Sequence, residues 1–304
     1  MDISHEIVSM IDEIKNDKTH GASQLARQAV NVLKTAAERS RAKTAGAFLV
    51  EQKEIGSRLM AARPTMAPIL NIVTRLLATI DREGDGMDME LMRSLAVAKA
   101  GEVAGDSLQA IARIAQHGSE LIADGDKILT HSYSSTVMAV IKEASVKRKN
   151  FKVIATRSGP GGTGEQIAGE LRRCGVEVTF IDDTAVGLYL PAVNKVMLGA
   201  DRVCADGKVI NGVGSYQVAL VSERAGIPCY ILCDTLKFAP GMRSNEVDLE
   251  DKEPSELVGP GILPAGVRVK NPHFDITPLE LITGVVTEKG LLTPADVIGY
   301  MKEL

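Results

Sequence analysis

A run of hydroxyl side chains, interrupted by one histidine, follows a short apolar segment near the middle of the chain. The run reads THSYSST from Thr130 to Thr136 and leads into a segment of helical composition. Hydroxyl groups at the start of a helix can cap free backbone amides or share a bound anion with them. Histidine is a common acid/base residue in catalysis, so His131 invites a catalytic interpretation, although a single histidine at a strand end more often serves as a hydrogen-bonding residue. The run therefore indicates either a helix cap or a contact with an anionic ligand.

A glycine-rich loop follows the next apolar segment and reads TRSGPGGTGE from Thr156 to Glu165. Backbone amides in such a loop can cradle a phosphate, and the guanidinium of Arg157 can bind it in a bidentate mode. We therefore expect Arg157, Gly161 and Gly164 to contact a phosphorylated ligand.

The same loop offers a dinucleotide-binding alternative. Gly159, Gly161 and Gly164 satisfy the spacing G-x-G-x-x-G. Asp182 or Asp183 follows about twenty residues on, where a ribose hydroxyl would be bound. An arginine where the tight turn should begin, a proline within the loop and a complete βα unit before it all depart from that fingerprint. An NAD-dependent oxidoreductase is therefore the least favoured function.

Aspartates also end two later apolar segments. Asp201 closes the sequence GAD, and Asp234 opens DTLKF, which contains Lys237. An aspartate directly after an apolar strand can act as a general base toward a ligand hydroxyl or carbon acid, or it can cap a turn. Asn211 opens the NGVGS between them, and Lys237 would add a point positive charge for a phosphate.

Residues 1–123 are predicted to form an all-helical domain. Ala, Leu, Met, Lys, Arg and Glu recur there at three- and four-residue spacing, which is typical of packed helices. An apolar stripe on the first helix comprises Ile3, Ile7, Met10, Ile11 and Ile14. Loops are expected where glycine, proline or charged residues break the pattern, at residues 18–21, 63–65 and 82–86.

Residues 124–304 are predicted to form an α/β domain. Short apolar runs rich in Val and Ile alternate with helical segments: DKILTHS, FKVIATR, VEVTFIDD, KVMLGADRV and PCYILCD. Such βαβ units close into a parallel sheet that binds ligands beyond the carboxyl ends of its strands. The candidate residues named above all follow those ends. A Pro/Gly-rich arm at residues 253–272, expected to wrap the domain or form an interface, precedes a last helix at 293–304.

The composition narrows the class of protein. Of 304 residues, 45% are hydrophobic and 24% charged, with 35 Lys and Arg against 39 Asp and Glu, which is typical of a soluble globular chain. This acidic balance argues against nucleic acid as a partner, and no apolar stretch reaches the ~20 residues that cross a membrane. The four cysteines lack the spacing and the histidines of a metal site. We expect reduced thiols, no metal and a cytoplasmic protein.

Taken in order, these motifs resemble one family. It joins the alpha, beta and delta regulatory subunits of eukaryotic translation initiation factor two B to the ribose-1,5-bisphosphate and methylthioribose-1-phosphate isomerases. The resemblance covers nearly the whole chain, and its carriers are HGASQLARQAV (20–30), ARPT (62–65), ILTHSYS (128–134), ATRSGPGGTG (155–164), DDTAVG (182–187), GADRV (199–203), NGVGS (211–215) and DTLKF (234–238). It implies that the second domain is Rossmann-like, that the chain forms a homodimer or higher homo-oligomer, and that a sugar-phosphate or nucleotide pocket lies between the domains.

The resemblance also implies site residues. Isomerases of this family pair a cysteine with an aspartate to move a proton between adjacent carbons, and the matching positions are Ser132 and Asp201. A serine hydroxyl is a far poorer proton donor or acceptor near pH 7 than a thiol. The implied substrate-binding positions are His20, Gly21, Ala22, Arg63, His131, Arg157, Gly161, Gly164, Asn211 and Lys237.

Three further positions depart from the family pattern. His20 stands where the family usually has arginine, Ala155 where it has glutamate and Gly212 where it has lysine. Two of these changes remove a cation. The remaining cations are Arg63, Arg157 and Lys237. They can still bind one phosphate, but they are fewer than the family uses for a bisphosphate.

We therefore favour a regulatory or binding protein similar to translation initiation factor 2B. It would hold a sugar phosphate or nucleoside monophosphate, without a cofactor and without isomerase turnover. The main alternative is an aldose–ketose isomerase of the ribose-1,5-bisphosphate isomerase type, with Asp201 as the acid/base and Ser132, helped by His131 or a water, in the cysteine's place. A translation-initiation GTPase is left open as a partner.

Overall fold

The computed structural model describes residues 3–17, 19–159, 162–249, 251–259, 261–264 and 266–303. The chain divides into two compact units, Met1–Ala110 and Ile111–Leu304. This division falls inside a long helix, earlier than the expected domain boundary between residues 123 and 124. That boundary follows the change in secondary structure and stays a prediction. Among the described helices, none combines enough length with enough apolar character to span a bilayer.

The first unit is helical. Its helices are α1 (His5–Asn16), α2 (Ala22–Arg39), α3 (Ala45–Ala62), α4 (Ala67–Glu83) and most of α5 (Met89–Glu120). Ser4 and Thr44 cap α1 and α3 with their hydroxyls, and α1 buries Ile7, Ile11 and Ile14 from the predicted stripe. The expected loop at residues 63–65 lies between α3 and α4, residues 19–21 lie between α1 and α2 while residue 18 is outside the described residues, and of residues 82–86 the first two still belong to α4. The break at residues 40–44 was missed because it contains neither glycine nor proline.

A seven-stranded sheet forms the centre of the second unit. Its order is β11-β10-β7-β4-β1-β2-β3, and every neighbouring pair is parallel except β10 with β11. The strands are β1 (Lys127–Thr130), β2 (Lys152–Thr156), β3 (Glu177–Ile181), β4 (Lys195–Leu198), β7 (Cys229–Leu232), β10 (Gly284–Thr287) and β11 (Gly290–Leu292). The helices of this unit are α6 (Ser135–Val146), α7 (Gly164–Arg173), α8 (Val186–Tyr189), α9 (Ser215–Arg224) and α10 (Pro294–Glu303).

Alternation along the central strands explains why this sheet has a core on each face. Ile128 and Val153 belong to one buried cluster, whereas the next residues, Leu129 and Ile154, belong to the other. Successive strand side chains point to opposite faces, so a strand covered on both faces reads as a continuous apolar run. That is the pattern from which β1, β2 and β4 are predicted.

A second, four-stranded sheet has the order β8-β5-β6-β9. Its strands are β5 (Arg202–Cys204), β6 (Lys208–Gly212), β8 (Phe238–Ala239) and β9 (Phe274–Pro278). The run KVMLGADRV holds the predicted strand, β4, which ends before Gly199 as expected, and also β5 of the small sheet, which was not predicted. Residues 199–201 link the two strands. Apolar residues on both sides of this link hide the break in the sequence pattern.

Candidate active site

The segment that leaves β1 stands at the centre of the site. Strands β2 and β3 follow β1 toward one edge of the sheet, while β4, β7 and β10 extend toward the other. The order of winding thus reverses between β1 and β4, and ligands of α/β sheets bind at such a reversal. Ser134 accepts a hydrogen bond from the amide of Val137 at 3.3 Å and caps α6, so part of the hydroxyl run is a helix cap.

His131 is buried and holds protein partners on both ring nitrogens. Its Nδ1 lies 2.7 Å from Thr156 Oγ1 and 3.5 Å from Asp183 Oδ1, and its Nε2 lies 2.7 Å from the carbonyl oxygen of Val213. With both nitrogens so engaged, His131 has no nitrogen directed at Ser132. The interpretation of His131 as a hydrogen-bonding residue fits this geometry better than a proton-transfer role.

Two serines adopt left-handed backbone conformations at neighbouring strand ends. Ser132 has φ 61° and Ser158 has φ 57°, a region in which a non-glycine residue costs about 1–3 kcal/mol. The amide of Ser132 donates to Ser158 Oγ at 2.8 Å. Within the described residues the Ser132 hydroxyl makes no hydrogen bond, so no base there is placed to activate it. Such backbone strain persists only where surrounding contacts enforce it.

Three glycines make room for the side chains of this segment. A Cβ on Gly212 would overlap the Ser132 hydroxyl, one on Gly214 would lie 2.6 Å from His131 Nε2, and one on Gly199 would lie 2.6 Å from Ser134 Oγ. Gly214 also has φ 105°, which favours glycine on its own. The glycines of the GAD and NGVGS motifs are therefore required by close packing against residues 131–134.

The described part of the glycine loop binds a carboxylate of the protein itself. The amides of Ser158 and Gly159 donate to the two oxygens of Asp183 at 2.7 and 2.8 Å. Asp182 instead caps the turn after β3 through Thr184. Both aspartates therefore accept hydrogen bonds from backbone amides, which does not favour binding of a ribose hydroxyl. The oxidoreductase alternative gains no support. Pro160 and Gly161, a predicted contact, lie outside the described residues.

Gly164 and Arg157 have different roles in this loop. A Cβ on Gly164 would overlap the carbonyl oxygen of Thr156, so glycine is needed there for the approach of α7 to β2. The side chain of Arg157 is exposed. It is therefore open to an anionic ligand, and its contact with a phosphate stays a prediction.

Asp201 lies in the link between the two sheets. It is half-buried, and its amide donates to the carbonyl oxygen of Ile210 at 2.8 Å. Lys237 is buried and its ammonium donates to the carbonyl oxygen of Ala200, so this cation supports the link that bears Asp201. Asn211 is buried and donates to Ser215 Oγ at 2.8 Å. The structure thus brings Ser132, Asp201, Asn211 and Lys237 to one end of the second unit.

The other predicted contacts belong to the first unit. His20 is exposed and its Nδ1 lies 2.7 Å from Asp17 Oδ2, while Gly21 is the N-cap of α2 and Ala22 is its buried first residue. The guanidinium of Arg63 donates to the carbonyl oxygens of Ile14, at 3.1 Å, and Asp17. Arg63 therefore holds the end of α1. Ligand contacts for these four residues stay predictions.

Asp275 was missed by the sequence analysis. Its Oδ2 accepts the amides of Gly214 at 2.7 Å and Tyr216 at 3.0 Å, at the start of α9. Its only signal in the sequence is an acid inside the alternating segment FDITP. Burial raises the pKa of Asp275 above its ordinary value, although the two amide bonds oppose that rise.

Asp183 shows the opposite electrostatic behaviour. Burial raises the pKa of its carboxyl, but the nearby His131 imidazole and the hydrogen bonds from the two loop amides outweigh burial and hold that pKa well below its ordinary value. Asp183 is therefore ionised throughout the neutral range. Burial also raises the pKa of the Cys204 thiol to about 11. Cys204 is therefore a neutral thiol near pH 7 and does not replace the cysteine that the family has at the position of Ser132.

The family model described as the initiation factor 2 subunit family matches residues 18–294. The chain belongs to this family. The family resemblance drawn from the motifs is thereby confirmed.

Proteins similar to this chain carry two kinds of name. A ribose 1,5-bisphosphate isomerase from Pyrococcus furiosus is 35% identical over an alignment of 307 positions, which spans 99% of this chain and 94% of that protein. The crystal structure of a translation initiation factor eIF-2B from Pyrococcus horikoshii matches with a TM-score of 0.83 at 30% identity, over 96% of this chain and 98% of that one. A 5-methylthioribose 1-phosphate isomerase from the same organism matches with a TM-score of 0.81 at 25% identity, over 98% and 87%.

Proposed function

We propose that the protein is an aldose–ketose isomerase of phosphorylated pentoses, of the ribose 1,5-bisphosphate isomerase type. This places the enzyme, the alternative in the sequence analysis, ahead of the binding protein. The observation that carries the proposal is the position of Asp201 and Ser132, which follow the neighbouring parallel strands β4 and β1 where the winding of the sheet reverses. Further support comes from the isomerases among the relatives. The strand order is also that of a Rossmann-like domain, an assignment we include in the proposal.

The reaction demands little beyond an acid/base and a grip on the phosphate. When a ribose 1-phosphate becomes a ribulose 1-phosphate, the sugar ring opens at the bond between C1 and the ring oxygen, a proton moves from C2 to C1, and the C2 hydroxyl loses its proton while the ring oxygen gains one. C2 is thereby oxidised to a ketone as C1 is reduced, and no outside oxidant is consumed. The Asp201 carboxylate would take the proton from one carbon and return it to the other. Arg157 would hold a phosphate. Ser132 would face the opposite side of the sugar as a weak acid, which predicts slow turnover.

The test is phosphorus NMR of the protein with ribose 1,5-bisphosphate, following the appearance of ribulose 1,5-bisphosphate. Asp201→Asn should abolish turnover while ligand affinity stays within about tenfold, because the change removes proton transfer and keeps the phosphate contacts. Ser132→Cys should raise turnover by about tenfold or more, since a thiol transfers protons far better near pH 7.

Asp182→Asn is the matched control, because Asp182 is an exposed aspartate at a neighbouring strand end. It should leave turnover unchanged. Product formation by Asp201→Asn at the rate of the unchanged protein would refute the assigned role, and no product from either the unchanged protein or Ser132→Cys would refute the enzyme.

A second candidate is a protein that holds the phosphorylated ligand without turning it over. The observation in its favour is the Ser132 hydroxyl, which has no base beside it in the described part of the chain, together with the likeness to the eIF-2B structure. Arg157→Ala should then weaken binding of ribose 5-phosphate or AMP by about 1.5–3 kcal/mol, measured by calorimetry. An unchanged affinity would remove Arg157 from the phosphate site.

We further propose a homo-oligomer. The support is a relative of 25% identity that was solved as a tetrameric eIF2B beta–delta complex from Chaetomium thermophilum. A translation-initiation GTPase as partner stays a prediction.

A further inference from the structure

A chain of hydrogen bonds runs from the amide of Ser132 to the carbonyl of Val213. It passes from Ser132 N to Ser158 Oγ at 2.8 Å, from Ser158 Oγ to Thr156 Oγ1 at 3.1 Å, and on to His131 Nδ1 at 2.7 Å. The last step joins His131 Nε2 to the Val213 carbonyl oxygen at 2.7 Å. The middle members Thr156, Ser158 and His131 are all buried.

The chemistry of the two end groups fixes the direction of the chain. The Ser132 amide can only donate, so Ser158 Oγ accepts there, and the Val213 carbonyl can only accept, so His131 carries a proton on Nε2. With a neutral imidazole, Nδ1 then accepts from the Thr156 hydroxyl, and Thr156 accepts from Ser158. Every donor along the chain has a partner.

A charged imidazole changes only the middle of the chain. Nδ1 then donates to Thr156 or toward Asp183, and Ser158 can donate to the Thr156 carbonyl oxygen at 3.3 Å. The Ser132 amide still donates, and the Val213 carbonyl still accepts. The two ends are therefore held in the same way in either charge state of His131.

The two end groups of the chain of hydrogen bonds belong to the segments that lie on either side of the residue 132 side chain. One end holds the backbone of Ser132 in its left-handed conformation. The other end holds Val213, which follows Gly212, the residue against which the Ser132 hydroxyl packs. Thr156 and Ser158 lie at the end of β2, a third element. The chain of hydrogen bonds therefore uses β2 to fix the distance between the segment that leaves β1 and the NGVGS loop.

We propose that Thr156 and His131 are positioning residues that act through Ser158 and Val213 to aim the side chain at position 132. The proposal rests on the isomerase function, in which position 132 faces the reacting sugar. The resemblance implied a substrate contact for His131, but both of its ring nitrogens have protein partners, so neither residue is assigned a contact with substrate. Loss of the chain should therefore lower kcat and leave KM nearly unchanged.

The first experiment needs no substrate. Thr156→Val removes the hydroxyl and keeps the branched shape, and Thr277→Val is its matched control, because Thr277 is equally buried on β9 and its hydroxyl has no partner among the described residues. Hydrogen exchange of the Ser132 amide, followed by NMR in protein labelled on serine nitrogen, should become at least about tenfold faster in Thr156→Val and stay within about twofold in Thr277→Val.

Two more variants keep the test decisive. Thr156→Ser retains the hydroxyl and should restore slow exchange. Ser158→Gly removes the next hydroxyl while permitting the left-handed backbone, so it should speed exchange even if Thr156→Val fails to fold. Unchanged exchange of the Ser132 amide in Ser158→Gly would overturn the proposal.

The second experiment measures kinetics in the Ser132→Cys background. Adding Thr156→Val should lower kcat for ribose 1,5-bisphosphate by about tenfold with KM within about threefold, and adding Thr277→Val should change neither. Equal kcat with and without Thr156→Val would overturn the positioning role. If no variant turns substrate over, the isomerase proposal fails on its own, and the exchange experiment still decides whether the chain holds Ser132.

Discussion

The two ends of the central strands are built from different chemistry. At the amino end, Lys195 reaches the carbonyl oxygen of Leu121 at 2.6 Å and forms an ion pair with Asp126. Lys149 donates to the carbonyl oxygens of Ser119 and Ile122. At the carboxyl end, short hydroxyls, glycines and the carboxylate of Asp183 hold the backbone.

This difference between the two strand ends indicates that the amino end serves mainly stability, while the carboxyl end serves both stability and ligand binding. Long cations tie several segments together at the amino end, where they fix the strand starts. The carboxyl end contains two left-handed serines and the exposed Arg157, so strain and an open cation are concentrated where the ligand is expected. Changes at the amino end should therefore alter folding alone, and changes at the carboxyl end should alter both.

Lys195→Met should have the largest effect on stability. It leaves the largely buried Asp126 without its cation, which costs about 3–5 kcal/mol, while affinity for a phosphorylated ligand stays unchanged. Urea unfolding and calorimetry measure the two quantities. Lys152→Met is the control, since its ion pair with Glu177 is exposed and should contribute less than about 1 kcal/mol. Equal losses in the two variants would remove the special role of the amino end.

Asp183→Asn should cost about 2 kcal/mol of unfolding free energy at pH 7, because it weakens the hold on the loop amides and on His131. The folded pKa of Asp183 is depressed, so its stabilisation is complete above the ordinary value of about 3.9 and is lost as the pH falls through the folded value. The cost of the substitution should therefore shrink in acid.

Asp275→Asn should show the opposite dependence of the free energy of unfolding on pH. The folded pKa of Asp275 is raised, so the wild-type residue gains stability as the pH falls through that value, and the cost of its substitution should grow in acid. Urea unfolding of both variants between pH 7 and pH 2 measures how the cost of each substitution changes with pH, because the stabilisation by Asp183 is lost only below about pH 3.9. Changes of the same sign would show that the two carboxylates do not differ as described.

Gly212→Ala should have the smallest effect on stability, about 1–2 kcal/mol, because the new methyl group overlaps the Ser132 hydroxyl and lies 2.8 Å from the Ser132 Cβ, so the backbone must shift slightly as well. Combining it with Ser132→Gly should recover most of the loss in thermal unfolding. Gly101→Ala, on an exposed face of α5 with open space around it, should instead stabilise by about 0.5–1 kcal/mol. An equal loss in the single and double variants would show that the clash lies elsewhere.

Strands β1, β2 and β4 of the large sheet could be predicted because they are apolar and buried on both faces, whereas β10 and β11 were not predicted. The small sheet could not be predicted, since β5 is hidden inside an apolar run that begins in β4, and β8 has only two residues. The motifs pointed to strand ends that the structure brings together in the second unit, but they did not show that Lys237 and Arg63 donate to backbone carbonyls.

The supporting residues were harder to predict than the candidate catalytic ones. Thr156, Ser158 and Asp275 act through hydrogen bonds between segments far apart in the chain, and nothing in local spacing reports such contacts. Asp183 was named for a ribose hydroxyl, a role that its bonds to the loop amides do not support.

The three-residue link between β4 and β5 gives Asp201 an unusual mechanical position. Ser132 is attached to the large sheet, whereas the amide of Asp201 is bonded to Ile210 of the small one. Their alignment is therefore a property of how two sheets dock through a shared apolar layer that contains Leu198, Val203 and Val209. A shift in that layer, at a distance from any ligand, would therefore change the position of Asp201 relative to Ser132.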